Sequence, residues 1–379
     1  MANYDKTVVP NKSGVQVDVE LHVPEISSIS ELSSSFEMDV LFSSIWSDAR
    51  LDYRLQSTAC PLTNLTLDMA FAKTIWTPNT CIVNSKKANI HQSPSHNVMI
   101  TLYDNGTIWQ NYRMRVVGPC QIDLRKFPFD TQSCNLIVES YSFNVQRVRL
   151  QWLEGAAITL MSEINLPDFD LVSWNTEKRT IEYPNGRWDQ LIVTFVFKRR
   201  YGFFILQAYI PTLMTIAVAW ISLWMDTRQI SARATLGISS FLAMTLQFGN
   251  ILKNQPRVSY IKGLDIWMLG GILFMFATLA ELAIISYYQQ RLGYHGSYSG
   301  GSPSPVAFPS TPVGRRLATA NQMDVASPNG FVCGENDAKS AQQPDFVLHP
   351  AKVDDVCRKL FAAVFVAFNV FYWLYYVGM

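Results

Sequence analysis

The stretch from Asp226 to Lys253, DTRQISARATLGISSFLAMTLQFGNILK, lies between apolar runs long enough to cross a bilayer, yet it carries hydroxyl side chains itself. On a helix every third or fourth residue returns to the same face. Starting at Thr235, that face runs through Ser239, Leu242, Leu246, Gly249 and Lys253. It is small and polar at one end, apolar in the middle and basic at the other. A helix surrounded by lipid is apolar all round. A polar stripe with an apolar waist suits a helix facing water inside a membrane bundle, where pores gate by dewetting. The competing reading is a transmembrane helix packing small residues against a neighbour. Polar groups at membrane depth favour the functional one.

Residues 203–224, 234–252, 265–288 and 357–377 read as four spans. The linkers at about 225–230 and 254–264 are short, so the first three helices must be neighbours. Pro211 inside the first span predicts a kink that neighbours re-satisfy. Residues 289–355, opening Gly-Ser-Tyr-Ser-Gly-Gly-Ser-Pro-Ser-Pro from Gly296, lack the apolar content for a core and read as disordered. Arg291, Arg315, Arg316, Lys339 and Lys352, with Arg358 and Lys359 beside them, place this loop in the cytoplasm. Four spans then put both termini outside.

Residues 15–200 read as all-β. Short alternating segments recur at 17–22, 37–42, 98–103 and 191–197, and Asp104-Asn-Gly-Thr107 signals a hairpin turn. Many short runs argue for a sandwich. Asn11, Asn64 and Asn105 open glycosylation sequons, all before Arg200, which suits an extracellular first half. No basic start followed by an apolar run occurs in the first 26 residues. A secreted first half needs such a leader, so the sequence reads as a processed or trimmed form with an added Met1. Net charge is +1, which gives no electrostatic case for nucleic acid.

Cys120 and Cys134 enclose thirteen residues with Phe127-Pro128-Phe129-Asp130 near the tip. Here the sequence resembles the Cys-loop receptors, the pentameric ligand-gated ion channels. The resemblance extends to Trp76-Thr-Pro, Tyr201-Gly-Phe-Phe-Ile-Leu-Gln, the stretch at 226–253 and Pro256-Arg-Val-Ser-Tyr-Ile-Lys262. It fades in the cytoplasmic loop. It implies a Cys120–Cys134 disulfide and an extracellular ten-strand β-sandwich (1–200). Transmembrane helices follow (201–288), then a disordered loop (289–355) and a last helix (356–379), with five subunits around a pore.

Anion-selective members typically carry Pro-Ala-Arg where this chain has Ser231-Ala232-Arg233. Cation-selective ones carry a Glu before the basic residue. Five Arg233 at the inner mouth and five Lys253 at the outer mouth are expected to favour an anion. No acid lies between Ser231 and Lys253; Asp226, just beyond, is the residue that weakens this reading. Leu242 matches the family's central gate leucine.

By the same resemblance the ligand sits between subunits. Glu139, Tyr141 and Phe143 form one loop of the site, and Tyr183 and Trp188 another. Aromatic rings with a carboxylate suit a cationic amine. On the complementary strand, beside Phe42, Ser43 stands where amino-acid receptors often carry an arginine for the ligand carboxylate. This favours acetylcholine or a biogenic amine. Arg113 nearby keeps GABA open, and a different subunit can supply the missing arginine. Coupling to the pore is expected at Phe127, Pro128, Phe129 and Asp130, at Arg200, paired with Asp130, and at Arg257 in the second linker. A Cys60–Cys81 disulfide is a further expectation.

The resulting reading is a neurotransmitter-gated chloride channel subunit in a homo- or hetero-pentamer. It is a multi-pass protein of the plasma membrane, lipid-embedded and postsynaptic. Rivals are a cation channel of the same family and a membrane-anchored adhesion sandwich, for which one span suffices. The five histidines are scattered and no HExxH, GxSxG or metal-ligand spacing occurs, so neither an enzyme nor a cofactor is expected.

Overall fold

The computed structural model describes residues 4–54, 63–226, 229–253, 255–298 and 350–378. Alternation shapes the first half. β1 (Val15–Ser30) turns Val17, Val19, Leu21 and Val23 into a core, all 0 % exposed. β2 (Ser35–Ser47) adds Phe36, Met38, Val40 and Phe42. β3 (Asn64–Leu67), β4 (Thr80–Ile82), β5 (Lys87–Ile90) and β6 (Val98–Tyr103) are short, and β7 (Thr107–Gln121) is long. β8 (Thr131–Ser140), β9 (Val148–Trp152) and β10 (Ile158–Leu160) lead to the long hairpin of β11 (Phe169–Tyr183) and β12 (Gly186–Arg199).

One sheet has β1, β2 and β7 at its centre. β9 and β10 flank β1; β5 and β6 flank β7; β3 pairs with β6. The other runs β4–β8–β12–β11. The two join where Cys120 of β7 pairs with Cys134 of β8, and a disulfide closes that point. Twelve strands stand among the described residues where ten were expected; β3, β4, β5 and β10 are segments of three or four residues. Phe195 and Phe197 of β12 meet Phe36 across the core with ring centres 6.2 and 6.4 Å apart. Each such buried ring contributes about 1.5–3 kcal/mol at most.

The predicted turn between β6 and β7 is present. Gly106 has φ +79°, and a Cβ there would stand 2.5 Å from the Asp48 carbonyl oxygen, so only glycine fits. Cys60 of the expected second disulfide lies outside the described residues.

Four helices are long and apolar enough to cross a membrane: α1 (Gly202–Ser222), α2 (Ile230–Lys253), α3 (Gly263–Tyr298) and α4 (Pro350–Tyr376). α3 runs ten residues past its expected end and α4 begins seven before its expected start, so both edges of the predicted disordered loop are helical. The proline in α1 is accommodated by a π turn over Ile205–Tyr209 immediately before Pro211. Proline offers no N–H to the turn before it. Gln247 of α2 takes up that role, its Nε2 donating to the Ala208 and Gln207 carbonyls at 3.3 and 3.5 Å. A neighbouring helix thus re-satisfies the backbone.

Candidate functional site

On β12, Leu191, Val193, Phe195 and Phe197 enter the core, so Trp188 and Gln190 take the opposite face. Gln190 pairs across the ladder with Glu139 of β8, and Glu139 in turn with Cys81 of β4. Arg179 of β11 completes the row. The Gln190 amide ties this row together. Its Nε2 donates to Glu139 Oε2 at 2.6 Å and to the Tyr183 hydroxyl at 3.3 Å, and its Oε1 accepts from Arg179 Nε at 3.1 Å. Tyr183 and Trp188 meet edge to face, with ring centres 5.6 Å apart. Glu139 is buried at 7 % exposure. Burial pushes the Cys81 thiol above its ordinary pKa, and the Glu139 charge adds to the shift.

Three expected site residues, Glu139, Tyr183 and Trp188, therefore share one face. Tyr141 projects from the loop after β8, 79 % exposed, with its N–H on the Asn79 carbonyl. Phe143 turns the other way, 5.5 Å from Trp76 against the sandwich core. Phe42 is also a core residue, 1 % exposed. The alternation of β2 gives the outer face to Leu41 and Ser43 instead, which is the reason Phe42 drops out. Ser43 accepts a hydrogen bond from Asn111 Nδ2 at 2.6 Å and is fully buried. Arg113 lies near it, half-exposed, its Nη2 3.4 Å from Asp39 Oδ2. Sequence reasoning missed Gln190 and Arg179; the register of β11, β12 and β8 is what brings them in.

On α2, Ser231, Thr235, Ser239, Leu242, Leu246, Gly249 and Lys253 are all exposed, and Ala232 is half-buried. The stripe read from the sequence is one unpacked face. Arg233 is not part of it. At 2 % exposure it shares the inward face with Gly237, Ser240 and Met244. Its Nη2 lies 2.9 Å from Asp354 Oδ1 of α4 and 3.5 Å from Glu281 Oε2 of α3. Two residues turn a helix by roughly 200°, which carries Arg233 away from Thr235. The expected ring of Arg233 at the inner mouth is corrected accordingly.

The loop between Cys120 and Cys134 is seated on the helices. Phe127 packs on Phe204 with ring centres 4.7 Å apart, and Phe129 on Tyr201 and Trp373 at 5.1 and 5.8 Å. The first N–H groups of α3, which have no partner inside a helix, donate to this loop: Gly263 to the Arg125 carbonyl at 3.0 Å and Leu264 to that of Phe127 at 3.1 Å. The Tyr260 hydroxyl accepts from the Leu124 N–H at 3.0 Å. The expected Asp130–Arg200 pair is replaced by its neighbour. Arg199 Nε and Nη2 reach Asp130 Oδ1 and Oδ2 at 2.7 and 3.1 Å. Adjacent residues on a strand face opposite ways, so Arg200 lies outside on Asp170 at 2.5 Å. Arg257 is exposed on the α2–α3 linker, and Pro128 follows Phe127 through a cis bond.

The neurotransmitter-gated ion-channel ligand binding domain matches residues 1–201, and the neurotransmitter-gated ion-channel transmembrane region matches residues 208–296. The serotonin-gated chloride channel mod-1 of Caenorhabditis elegans is 54 % identical over 76 % of this chain and 58 % of its own length. The acetylcholine-gated chloride channel subunit acc-1 of the same organism is 45 % identical over 77 % of this chain and 62 % of its own. The subunit acc-2 is 39 % identical over 99 % of this chain and 82 % of its own. The chain thus spans about six-tenths of the length of the first two. With a β-sandwich, the 120–134 disulfide and four membrane-length helices in one chain, this protein belongs to the family of neurotransmitter-gated ion channels.

Proposed function

We propose that the chain is a subunit of an amine-gated chloride channel, five subunits surrounding a pore in the plasma membrane of an excitable cell. One observation carries the ligand half: the buried Glu139 carboxylate is wired through Gln190 to Tyr183, beside the Tyr183–Trp188 ring pair. A carboxylate and aromatic faces both attract an ammonium group. The names of mod-1, acc-1 and acc-2 support the same ligand class and the same ion. For the ion, the exposed face of α2 offers hydroxyls, leucines and Lys253, with no carboxylate from Ser231 to Lys253. Leu242 and Leu246, 56 % and 60 % exposed, form the apolar waist that gates by dewetting. Asn11, Asn64 and Asn105 are exposed and fit glycan acceptors on the outer side. Ligand opens the pore only to the extent that it binds the open state more tightly.

Arg179 supports a second reading. Its guanidinium lies on the same row as Glu139, where it suits the carboxylate of an amino acid such as GABA.

Expression of the chain in oocytes tests both. Acetylcholine, serotonin, dopamine, tyramine, GABA, glycine and glutamate are applied in turn, and the reversal potential is read at two chloride concentrations. An amine-evoked current whose reversal follows chloride is the expected result. Response to GABA or glutamate alone moves the ligand to Arg179; a reversal that follows sodium overturns the chloride half.

A further inference from the structure

At the inner end of the bundle, charged side chains of α2, α3 and α4 meet around one carboxylate. Asp354 of α4 is 3 % exposed. Its Oδ1 accepts from Arg233 of α2 at 2.9 Å and its Oδ2 from Arg358 at 3.0 Å. Glu281 of α3 stands 3.5 Å from the same Arg233 nitrogen. The Arg358 guanidinium lies over the ring of Trp224, just past α1, 4.8 Å from its centre. Two guanidinium groups and two carboxyl groups thus share one buried site. Among the described residues, Arg233 Nε and Nη1 and Glu281 Oε1 are buried without a partner. All of its pairing to carboxylates runs through one nitrogen.

We infer that Asp354 is a positioning residue for the pore helix: it holds the Arg233 guanidinium inside the bundle, off the ion path, and ties the base of α2 to α4. The inference rests on the channel reading above. Charge at a pore mouth acts on ions most strongly when it is near the path and not offset by an opposite charge. Held as it is, Arg233 is a neutralised strut. Released, it is a long cation at the inner mouth, and α2 loses its fastening to α4. Asp354 is thus placed to control both the resting position of the gate and the field at the inner mouth.

Asp355 provides the control. It is the next residue, carries the same charge, is half-exposed, and pairs with Lys359 at 2.8 Å on the outside of α4. The experiment compares D354N and D355N, each with Arg233 and with R233Q, in the full chain in oocytes. With Arg233 present, D354N is expected to shift the half-maximal agonist concentration about tenfold and to change the ratio of inward to outward chloride current. In the R233Q background both effects fall below about twofold, because the pore helix then carries no guanidinium to be released; Arg358 stays on α4. D355N leaves both within about twofold. Equal shifts with and without Arg233, or equal shifts from D354N and D355N, overturn the inference. Rectification separates this role from a merely structural one, which loses current without reshaping it.

If no agonist opens the channel, the proposed function has failed, and the inference is still decided by melting of the detergent-purified chain. A lower melting temperature for D354N with Arg233, absent with R233Q, upholds the tie. The same loss in both backgrounds overturns it.

Discussion

Arg199 holds Asp130 with two nitrogens, Nε on Oδ1 at 2.7 Å and Nη2 on Oδ2 at 3.1 Å, both side chains at most 3 % exposed. Arg199 also reaches Glu31 at 2.5 Å, and the Asp130 carboxylate also accepts from Gln132. The last residue of the last strand is thereby clamped to the loop that sits on the helices. Removing one member strands a buried charge, at a cost of about 3–5 kcal/mol. Arg199→Gln or Asp130→Asn alone should sharply reduce receptor at the cell surface. The two together should be less harmful than the sum of the singles. Surface biotinylation with current normalised to surface receptor measures this; strict additivity would mean the pair is not the cause.

Gly263 tests the seating of that loop. A Cβ there would lie 2.9 Å from the Phe127 carbonyl oxygen and 2.8 Å from a Tyr376 ring carbon. Gly263→Ala must push the loop or α4 aside, at about 1–3 kcal/mol. Agonist binding should persist while maximal current falls roughly tenfold or more, since about 1.4 kcal/mol is a factor of ten. Radioligand binding and current on the same cells separate the two; unchanged current would show that the loop yields freely.

At the ligand face, Glu139→Gln removes a charge while keeping a partner for Gln190. A charged contact contributes about 1.5–3 kcal/mol, so the half-maximal amine concentration should rise about 10- to 100-fold. Tyr183→Phe loses only the 3.3 Å bond from Gln190 and should shift it by less than about threefold. Concentration–response curves read both. A larger effect from Tyr183→Phe than from Glu139→Gln would place the hydroxyl, not the carboxylate, against the ligand.

Stability in acid should depend on Asp48, which is fully buried. Burial alone would raise its carboxyl; hydrogen bonds from Arg50 and Tyr4 outweigh this and hold it below the ordinary value. The carboxyl is therefore lower in the folded protein than in the unfolded chain. Its contribution is present above about pH 4 and is lost as pH falls through the lower, folded value. Asp48→Asn should cost about 1–3 kcal/mol at pH 7, and the gap to the parent should close in acid. Melting curves from pH 7 to pH 3 test the sign; a constant gap would remove the carboxylate from the account.

Much of this architecture is legible in the sequence. The exposed stripe of α2 is the one traced from Thr235 to Lys253, because helical periodicity is a geometric constant. The turn at Gly106 and the four spans were visible for the same kind of reason. What sequence did not reveal was which partner a charge would choose. Arg199 and Arg200 are neighbours with opposite outlooks, and only the register of β12 decides which meets Asp130. Arg233 could be placed two residues from Thr235, but its partner Asp354 lies on α4, separated by a long stretch of chain. Phe42 and Ser43 are both expected at the site, yet neighbours on a strand face opposite ways, and the alternation does not say which of the two faces is the core.

The contact between Phe129 and Trp373 has a consequence for how such a chain is made. A loop completed early in synthesis gains the last wall of its seat, Trp373, only with the last of the four helices. Until α4 has emerged and entered the bilayer, the rings at 127 and 129 have only part of their surroundings, and the first three spans wait unsealed. The order of synthesis thus makes the final helix a checkpoint: a subunit that lacks it has every part of the ligand face and an incomplete seat for the loop that would report on it.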